Sequence, residues 1–310
     1  MYFNVPPSLG DPLKWYAKAF NVVEVNSTFY HMPSIEQVLS WRKRVPKNFE
    51  FTIKCHKSIT HQSKLKLNPQ TTQTLEKLLE IGRVLNAKIL VLQTPPTLKP
   101  LSKVVENLSR IAEIAESNNM RIAWEPRGDQ WRTATGREFI KKAVEKHDVI
   151  HCTDISREKP FEVKNIVYSR LFGKGEHNIY QFTRDEIIDI VSRIIGLNAN
   201  RAYVIAHTKK MYIDAARIKS YVEKGAIPKP TRNIGLKAIE EVLMEDAKFP
   251  ATKNELIKHQ GWKVIPVSKE KEVKLSQLLN RIPDKQYKNI YELLSELEKA
   301  IKLTSSNYTK

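Results

Sequence analysis

Residues 22–61 read VVEVNSTFYHMPSIEQVLSWRKRVPKNFEFTIKCHKSITH, and the fold turns on this stretch. It holds two strand-like pieces. VVEVN, continuing as STFY, is apolar at first and then delivers Glu24, Asn26, Thr28 and Tyr30. FEFTIKCH delivers Lys54 and His56, with His61 close behind. Polar groups crowding the C-terminal ends of successive buried strands are how (β/α)8 barrels build their sites. Working outward, period and punctuation place further strands at Tyr2–Val5, Lys88–Gln93, Arg121–Glu125, Val149–Asp154, Ile166–Leu171 and Ala202–His207. Helix-period stretches lie between them at Thr71–Leu85, Leu101–Ser117, Arg137–Lys146 and Thr183–Ile195. In the last, Thr183 and Glu186 have capping-box spacing. Alternating short buried strands and amphipathic helices mean a parallel sheet of the α/β class. Eight strands in so short a chain suit a closed TIM-like barrel better than an open doubly wound sheet.

A helix starting at Tyr212 ends near Gly225, and AIPKPTRN (226–233) reads as a linker. The remainder, 234–310, reads as a small all-α module with helices at Ile234–Leu243, Lys253–His259, Val273–Leu279 and Asn289–Ile301. The expected organisation is therefore a barrel over 1–225, the linker, and a C-terminal helical module.

Apolar residues make up 41% of the 310, enough for a sizeable core, and no window approaches 18 consecutive apolar residues. MYFNVPPSLGDP lacks the basic and apolar regions of a signal peptide. Cys55 and Cys152 make no disulfide framework and read as small buried hydrophobes, in keeping with a cytoplasmic location. Trp15 and Tyr16 read as core residues of a first helix. The formal charge is +18, of which +13 falls up to Gly225 and +5 beyond it, so the excess is not a detachable tail. Such an imbalance attracts polyanions, nucleic acid above all; a lysine-rich thermophile-type surface is the alternative.

VEVNSTFY, Trp41, Pro46, Phe49, Phe51, Lys54, the Thr60-His61 pair, WEPRGDQW (124–131), VYSRLFG (167–173) and AYVIAH (202–207) stand in the order of the blocks of a known family. On them, residues 1–225 resemble the YecE-like family, a TIM-barrel family catalogued as domain of unknown function 72. The resemblance implies the barrel and no particular chemistry. Two departures touch the barrel mouth. The first strand lacks a glycine-rich, tryptophan-bearing opening, and Ala206-His207-Thr208 stands where the family typically carries Phe-Asn-Asn. FPATKNELIKHQGW and LLNRIPDKQYKNIYELLSEL, within 235–300, resemble a second small helical domain of unknown function.

In a barrel, Glu24, Asn26, Lys54, His56, Gln93, Glu125, Arg127, Asp154, Arg170 and His207 converge on one mouth. Glu24, Lys54, His61, Glu125, Asp154 and His207 are the catalytic candidates. Glu24, Glu125, Asp154 and His207 could ligate a divalent ion (Mg, Mn or Zn) for phosphodiester cleavage. There is no HxH, HExxH or CxxC, and ion pairing of Glu24 and Glu125 with Lys54, Arg127 or Arg170 is the competing reading. Lys54, held by apolar neighbours, could form a Schiff base with an aldehyde such as an abasic deoxyribose; an anion clamp or an ion pair with Glu24 competes. Asn26, Tyr30, Lys57, Lys64, Arg127, Arg170, Lys174 and Lys209 are the anion-binding candidates, joined by Lys66, Arg132 and Lys210. Tyr30, Trp131, Phe172 and Tyr180 are interleaved for base stacking. The expected function is a nucleic-acid-directed enzyme, a phosphodiester hydrolase or repair-type nuclease, with DNA ahead of RNA. The alternatives are a metal-free enzyme on a small anionic metabolite, and a non-catalytic nucleic-acid or protein-binding scaffold with the C-terminal module as its adaptor.

Overall fold

The computed structural model describes residues 10–305, so the expected strand Tyr2–Val5 lies outside the described residues. Asp11 accepts the Leu13 N–H and Pro12 pre-sets the first turn, which opens α1 (Pro12–Ala19). There follow β1 (Val22–Val25), α2 (Ile35–Lys43), β2 (Glu50–Lys54), α3 (Pro69–Leu85), β3 (Ile89–Thr94), α4 (Ser102–Glu116) and β4 (Arg121–Pro126). Then come α5 (Ala134–His147), β5 (Ile150–His151), β6 (Ile166–Leu171), α6 (Arg184–Ile195), β7 (Arg201–Ala206) and α7 (Met211–Lys224). β1 to β5 form one sheet in chain order, every pair parallel. Past β5 a single bridge, Thr153 to Ser169, leads on to β6. β6 pairs with β7; Asn165 O accepts from Arg201 N and Leu171 O from His207 N, a constant offset that makes the pair parallel. The fold is α/β on a parallel sheet.

The chain divides into two compact units. The first runs to Arg170 and takes in Ile194–Ile205; the second comprises Leu171–Arg193 and the chain from Ala206 onward. The division falls inside β6 and β7, not at residues 226–233, which form an irregular stretch within the second unit.

In the first unit, successive residues of each strand serve different layers. Leu90 and Leu92 of β3, Phe51 and Ile53 of β2, and Trp124 of β4 pack with Leu75, Leu78, Leu108 and Ile111 of the covering helices. Ile89 and Val91 pack instead with Ala123, Cys152, Tyr168 and Tyr203. A strand buried on both faces loses the apolar–polar alternation, which is why β3 reads as the unbroken run ILVL. On the inner face, side chains reach across the curl of the sheet: Thr52 Oγ1 lies 2.7 Å from Tyr168 OH, and Tyr203 OH donates to Glu50 at 2.6 Å. α1 contributes less to this core than expected. Trp15 is 40% exposed and no residue of α1 is fully buried; Leu13, Tyr16 and Ala17 pack against the core from its edge, Tyr16 donating its hydroxyl to Val22 O and meeting Phe49 edge-on.

The second unit adds α8 (Gly235–Leu243), β8 (Ala251–Thr252), α9 (Lys253–Gln260), β9 (Val264–Pro266), β10 (Glu272–Lys274), α10 (Leu275–Leu279), β11 (Gln286–Tyr287) and α11 (Ile290–Ser305). β8 with β11 and β9 with β10 are antiparallel pairs, so the expected all-α module is α+β, and the expected helix from Val273 begins as a strand. Its core gathers Ile239, Leu243, Leu256, Leu278 and Leu293. Buried polar groups tie α7 into the unit. Arg217 donates to Phe182 O and Pro228 O and pairs with Glu272 at 2.6 Å, while Asp214 accepts from Phe182 N and Thr208 Oγ1. Among the described residues no helix is long and apolar enough to cross a membrane.

Candidate functional site

The period of two sets which strand residues look inward. Val91 and Ala123 lie in the inner cluster, so Gln93 on β3 and Glu125 on β4, two residues on, face the same way one level higher. Tyr168 puts Arg170 of β6 on that face, and Thr52 does the same for Lys54 of β2. Glu24 of β1 joins them. At this level the apolar filling gives way to ionised groups.

Arg170 is the centre. Its Nε and Nη2 donate to the two oxygens of Glu24 at 3.1 and 2.9 Å, a bidentate pair. Nη1 donates to Gln93 Oε1 at 2.9 Å and to Glu125, and Nη2 reaches Asn26 Oδ1 at 3.4 Å. Tyr168 OH donates to Glu24 at 2.9 Å. The Arg170 and Glu24 side chains are at most 2% exposed. Burial alone would lower the Arg170 pKa; Glu24 and then Glu125 more than reverse that and hold the guanidinium charged. At the rim Arg127 Nε donates to the other oxygen of Glu125 at 2.7 Å. Two carboxylates thus meet two guanidiniums.

Lys54 comes as a surplus cation. Its Nζ stands 4.2 Å from the centre of the Phe29 ring and, among the described residues, has no hydrogen bond or ion pair. Burial first, and Arg170 next, outweigh the pull of Glu24 and Glu125 and bring its pKa down to about 8. His61 meets the same Phe29 ring edge to face at 5.0 Å. Burial, then the charges of Lys54 and Arg127, push His61 below the ordinary imidazole value, so it is neutral at pH 7. Its Nδ1 lies 2.9 Å from Thr60 Oγ1. The Thr60 hydroxyl also lies 3.4 Å from His56 O; when it donates there it accepts from Nδ1–H, the tautomer that leaves Nε2 as the basic nitrogen. Nearby, Tyr30 is exposed and the Lys57 ammonium lies 5.8 Å from its ring; Lys64 is exposed on the segment after β2.

The expected site residues thus sort into groups. Glu24, Asn26, Gln93, Glu125 and Arg170 come together, with Lys54, His61 and Arg127 around them. Arg170 is no phosphate clamp, because it is buried and committed to carboxylates. Asp154 is held by its own turn: it accepts from the Ser156 N–H and hydroxyl and lies 3.6 Å from Arg157. Arg132 is engaged by Asp129 and Glu158. Trp131 is no stacking platform; it is buried against Trp124, its indole N–H on Leu98 O. His207, Lys174 and Lys209 belong to the second unit, where His207 stacks on Phe172 and Lys174 lies 3.5 Å from Glu186. Tyr180 there lies under the Lys274 ammonium.

The four residues expected to ligate a metal do not make a donor set. Glu24 and Glu125 are turned onto Arg170, Asp154 onto its own turn, and no three His, Cys, Asp or Glu among the described residues group to hold an ion. Carboxylates saturated by a guanidinium would have to give up charge-assisted hydrogen bonds before accepting a cation. Two residues of the site went unread. Tyr168 was legible two positions before Arg170, by the same period of two that gathers the rest. Phe29, inside the quoted block, is the ring on which Lys54 and His61 both rest.

A model of the family described as "Protein of unknown function DUF72" matches residues 2–231. Over 54 residues the chain is 43% identical to UPF0759 protein YecE of Escherichia coli K12, a match spanning 17% of this chain and a fifth (20%) of the curated relative. A DUF72 family protein from Enterococcus faecalis V583 superposes with a TM-score of 0.56 at 20% identity, covering 68% of this chain and 92% of that one. Another, from Thermotoga maritima MSB8, gives 0.54 at 23% identity, covering 71% and 93%. At these identities the likeness is one of fold.

Proposed function

The chain belongs to the DUF72 family of proteins of unknown function, and from that membership together with the strand-end cluster we propose a metal-independent enzyme that works on an anionic substrate beside Lys54. One observation carries this reading. Lys54 projects toward a cluster whose carboxylates are already balanced by Arg170 and Arg127, and its own amine has no ion pair among the described residues. A buried surplus charge destabilises a fold, so such a group is favoured only where it serves something else. An amine that is part-deprotonated near neutral pH can act as base or nucleophile, with neutral His61 to carry a proton. Arg127, two-fifths exposed at the rim, and Lys57 and Lys64 on the segment after β2 supply the attraction for a phosphate or carboxylate. In this reading the curled parallel sheet is the wall of a closed (β/α)8 barrel and the cluster fills its upper layer.

The formal charge of +18 favours a second reading, in which the anion is a DNA or RNA strand. The hydrolase expectation survives there only as metal-independent chemistry, since the expected ligand set does not fit an ion.

The test is a substrate panel in the presence of EDTA: small phosphorylated and carboxylated metabolites, and single-stranded, duplex and abasic DNA. Turnover that persists in EDTA and is lost in Lys54→Met is the expected result. Turnover that requires added magnesium, manganese or zinc and is indifferent to Lys54 would overturn the reading.

A further inference from the structure

Resting on the reading above, we propose that Lys54 forms an imine with the carbonyl carbon of an aldehyde or ketone substrate that carries a phosphate or carboxylate, and that His61 moves the proton. The geometry supplies each part. The Lys54 amine sits on the face of Phe29, at the end of a strand whose Thr52 and Ile53 are fully buried, with no hydrogen-bond donor among the described residues to occupy its lone pair. His61 rests on the same ring with Nδ1 against Thr60 Oγ1, and in the Nδ1–H tautomer its Nε2 is the basic nitrogen. Arg170 and Arg127 are the cations whose fields reach Lys54. Positive charge there disfavours the ammonium and favours an alkoxide growing on a carbonyl oxygen next to it.

The step balances without any redox partner. The Nζ lone pair bonds to the carbonyl carbon as the C=O π pair moves onto oxygen. One N–H proton passes to His61 Nε2. The imidazolium returns that proton to the alkoxide, giving the neutral carbinolamine; the second N–H proton then passes by way of His61 to the hydroxyl, which leaves as water while nitrogen forms the C=N bond. Amine plus carbonyl gives protonated imine plus hydroxide, or neutral imine plus water. A general-base role for Lys54 would use the same amine and form no bond to carbon, and it is this difference that the experiment reads.

The full-length protein is incubated at pH 7.5 with glycolaldehyde phosphate and cyanoborohydride in EDTA, with neutral glycolaldehyde in parallel, and the alkylated lysines are located by peptide mass mapping. The expected result is labelling of Lys54 about tenfold or more faster than Lys57 or Lys64, because an amine with a pKa near 8 is far more deprotonated at this pH than an ordinary lysine. Inorganic phosphate should slow it, and the charged aldehyde should outrun the neutral one by a margin that shrinks in Arg127→Gln. Equal labelling of Lys54 and the surface lysines overturns the proposal. Binding of inorganic phosphate, measured by calorimetry on wild type and Lys54→Arg, separates the two claims. Phosphate bound with no selective labelling leaves the anion-binding reading standing and the imine refuted; no phosphate binding removes both.

Discussion

Replacing Arg170 by methionine would leave Glu24 and Glu125 buried without their shared partner. Breaking a buried pair by removing one member costs about 3–5 kcal/mol, mostly the desolvation of the charge left behind. The variant should therefore unfold at markedly lower urea than wild type at pH 7. Its deficit should shrink at pH 5, because Glu24, deprived of its bidentate partner, takes up a proton more readily in the folded state, and stability of that kind returns as pH falls. An equal deficit at both pH values would mean that Arg170 acts by packing alone. Lys54 is predicted to behave in the opposite sense. Its folded pKa of about 8 lies below the ordinary value, so the unfolded chain binds the proton more tightly. Stability rises as pH climbs from about 8 toward 10.5, and the penalty is at its full size below that window. Lys54→Met should then raise the unfolding free energy at pH 7 by about 1 kcal/mol after allowance for partial exposure, seen as a higher melting temperature, with the gain fading above pH 10. Stabilisation together with loss of activity is the signature of a functional lysine; destabilisation would make it structural. The sequence placed both residues at strand ends, but not which of them would be paired. Arg170 and Lys54 carry the same charge at equivalent strand ends, and the sequence does not show that the guanidinium takes the bidentate pair with Glu24.

At the level of elements, the C-terminal part answers to Asp214 at the start of α7. Its carboxyl accepts from Phe182 N at 3.1 Å and Thr208 Oγ1 at 2.6 Å, yet burial dominates and pushes its pKa up to about 6. A carboxyl raised above its ordinary value holds its proton more tightly when folded. The stability it contributes is therefore present at low pH and lost as pH rises toward 6. Amides of α7 should exchange more slowly at pH 5 than at pH 7 after correction for intrinsic rates, and Asp214→Asn should abolish the difference, worth about 1 kcal/mol between those two pH values. No difference in wild type would mean the carboxylate is fully compensated by its donors. The elements themselves were legible where burial and punctuation agree. β6 occupies the expected Ile166–Leu171, and α6 opens at the expected Thr183–Glu186 box, with Thr183 N on Glu186 at 3.0 Å. They were illegible where either signal fails. α2 buries only Val38 and is polar at Glu36, Gln37, Ser40, Arg42 and Lys43, so its period is faint. β5 keeps two ladder residues of the six expected, because the chain leaves the sheet after His151 and returns only at the Thr153 bridge. The strands β8, β10 and β11 are two or three residues long, too short to show a period of two, which is why the C-terminal module read as helical throughout.

For the whole molecule the unresolved quantity is the charge. Ion pairing absorbs part of it: Arg44 with Asp11, Arg121 with Asp148, Arg132 with Glu158, Arg217 with Glu272. Pairing cannot remove the excess, since 52 lysines and arginines face 34 acids. A lysine-rich surface that serves only stability or solubility has no reason to bind one polyanion more than another, or to bind through particular lysines. A recognition surface does. On the second reading, duplex DNA should bind at low ionic strength with about six phosphates neutralised, so the logarithm of the affinity should fall with the logarithm of salt at a slope near about −5. Changing Lys57, Lys64 and Arg127 together to glutamine should cut that slope to about half, because each lost phosphate contact removes just under one unit. Changing Lys141, Lys142 and Lys146, on α5, should leave it almost untouched. If both triple variants lower the slope equally, the charge acts as a diffuse field and the polymer reading fails. Absence of any salt-sensitive binding in wild type removes that reading too, leaving the small anionic substrate as the one that Lys54 serves.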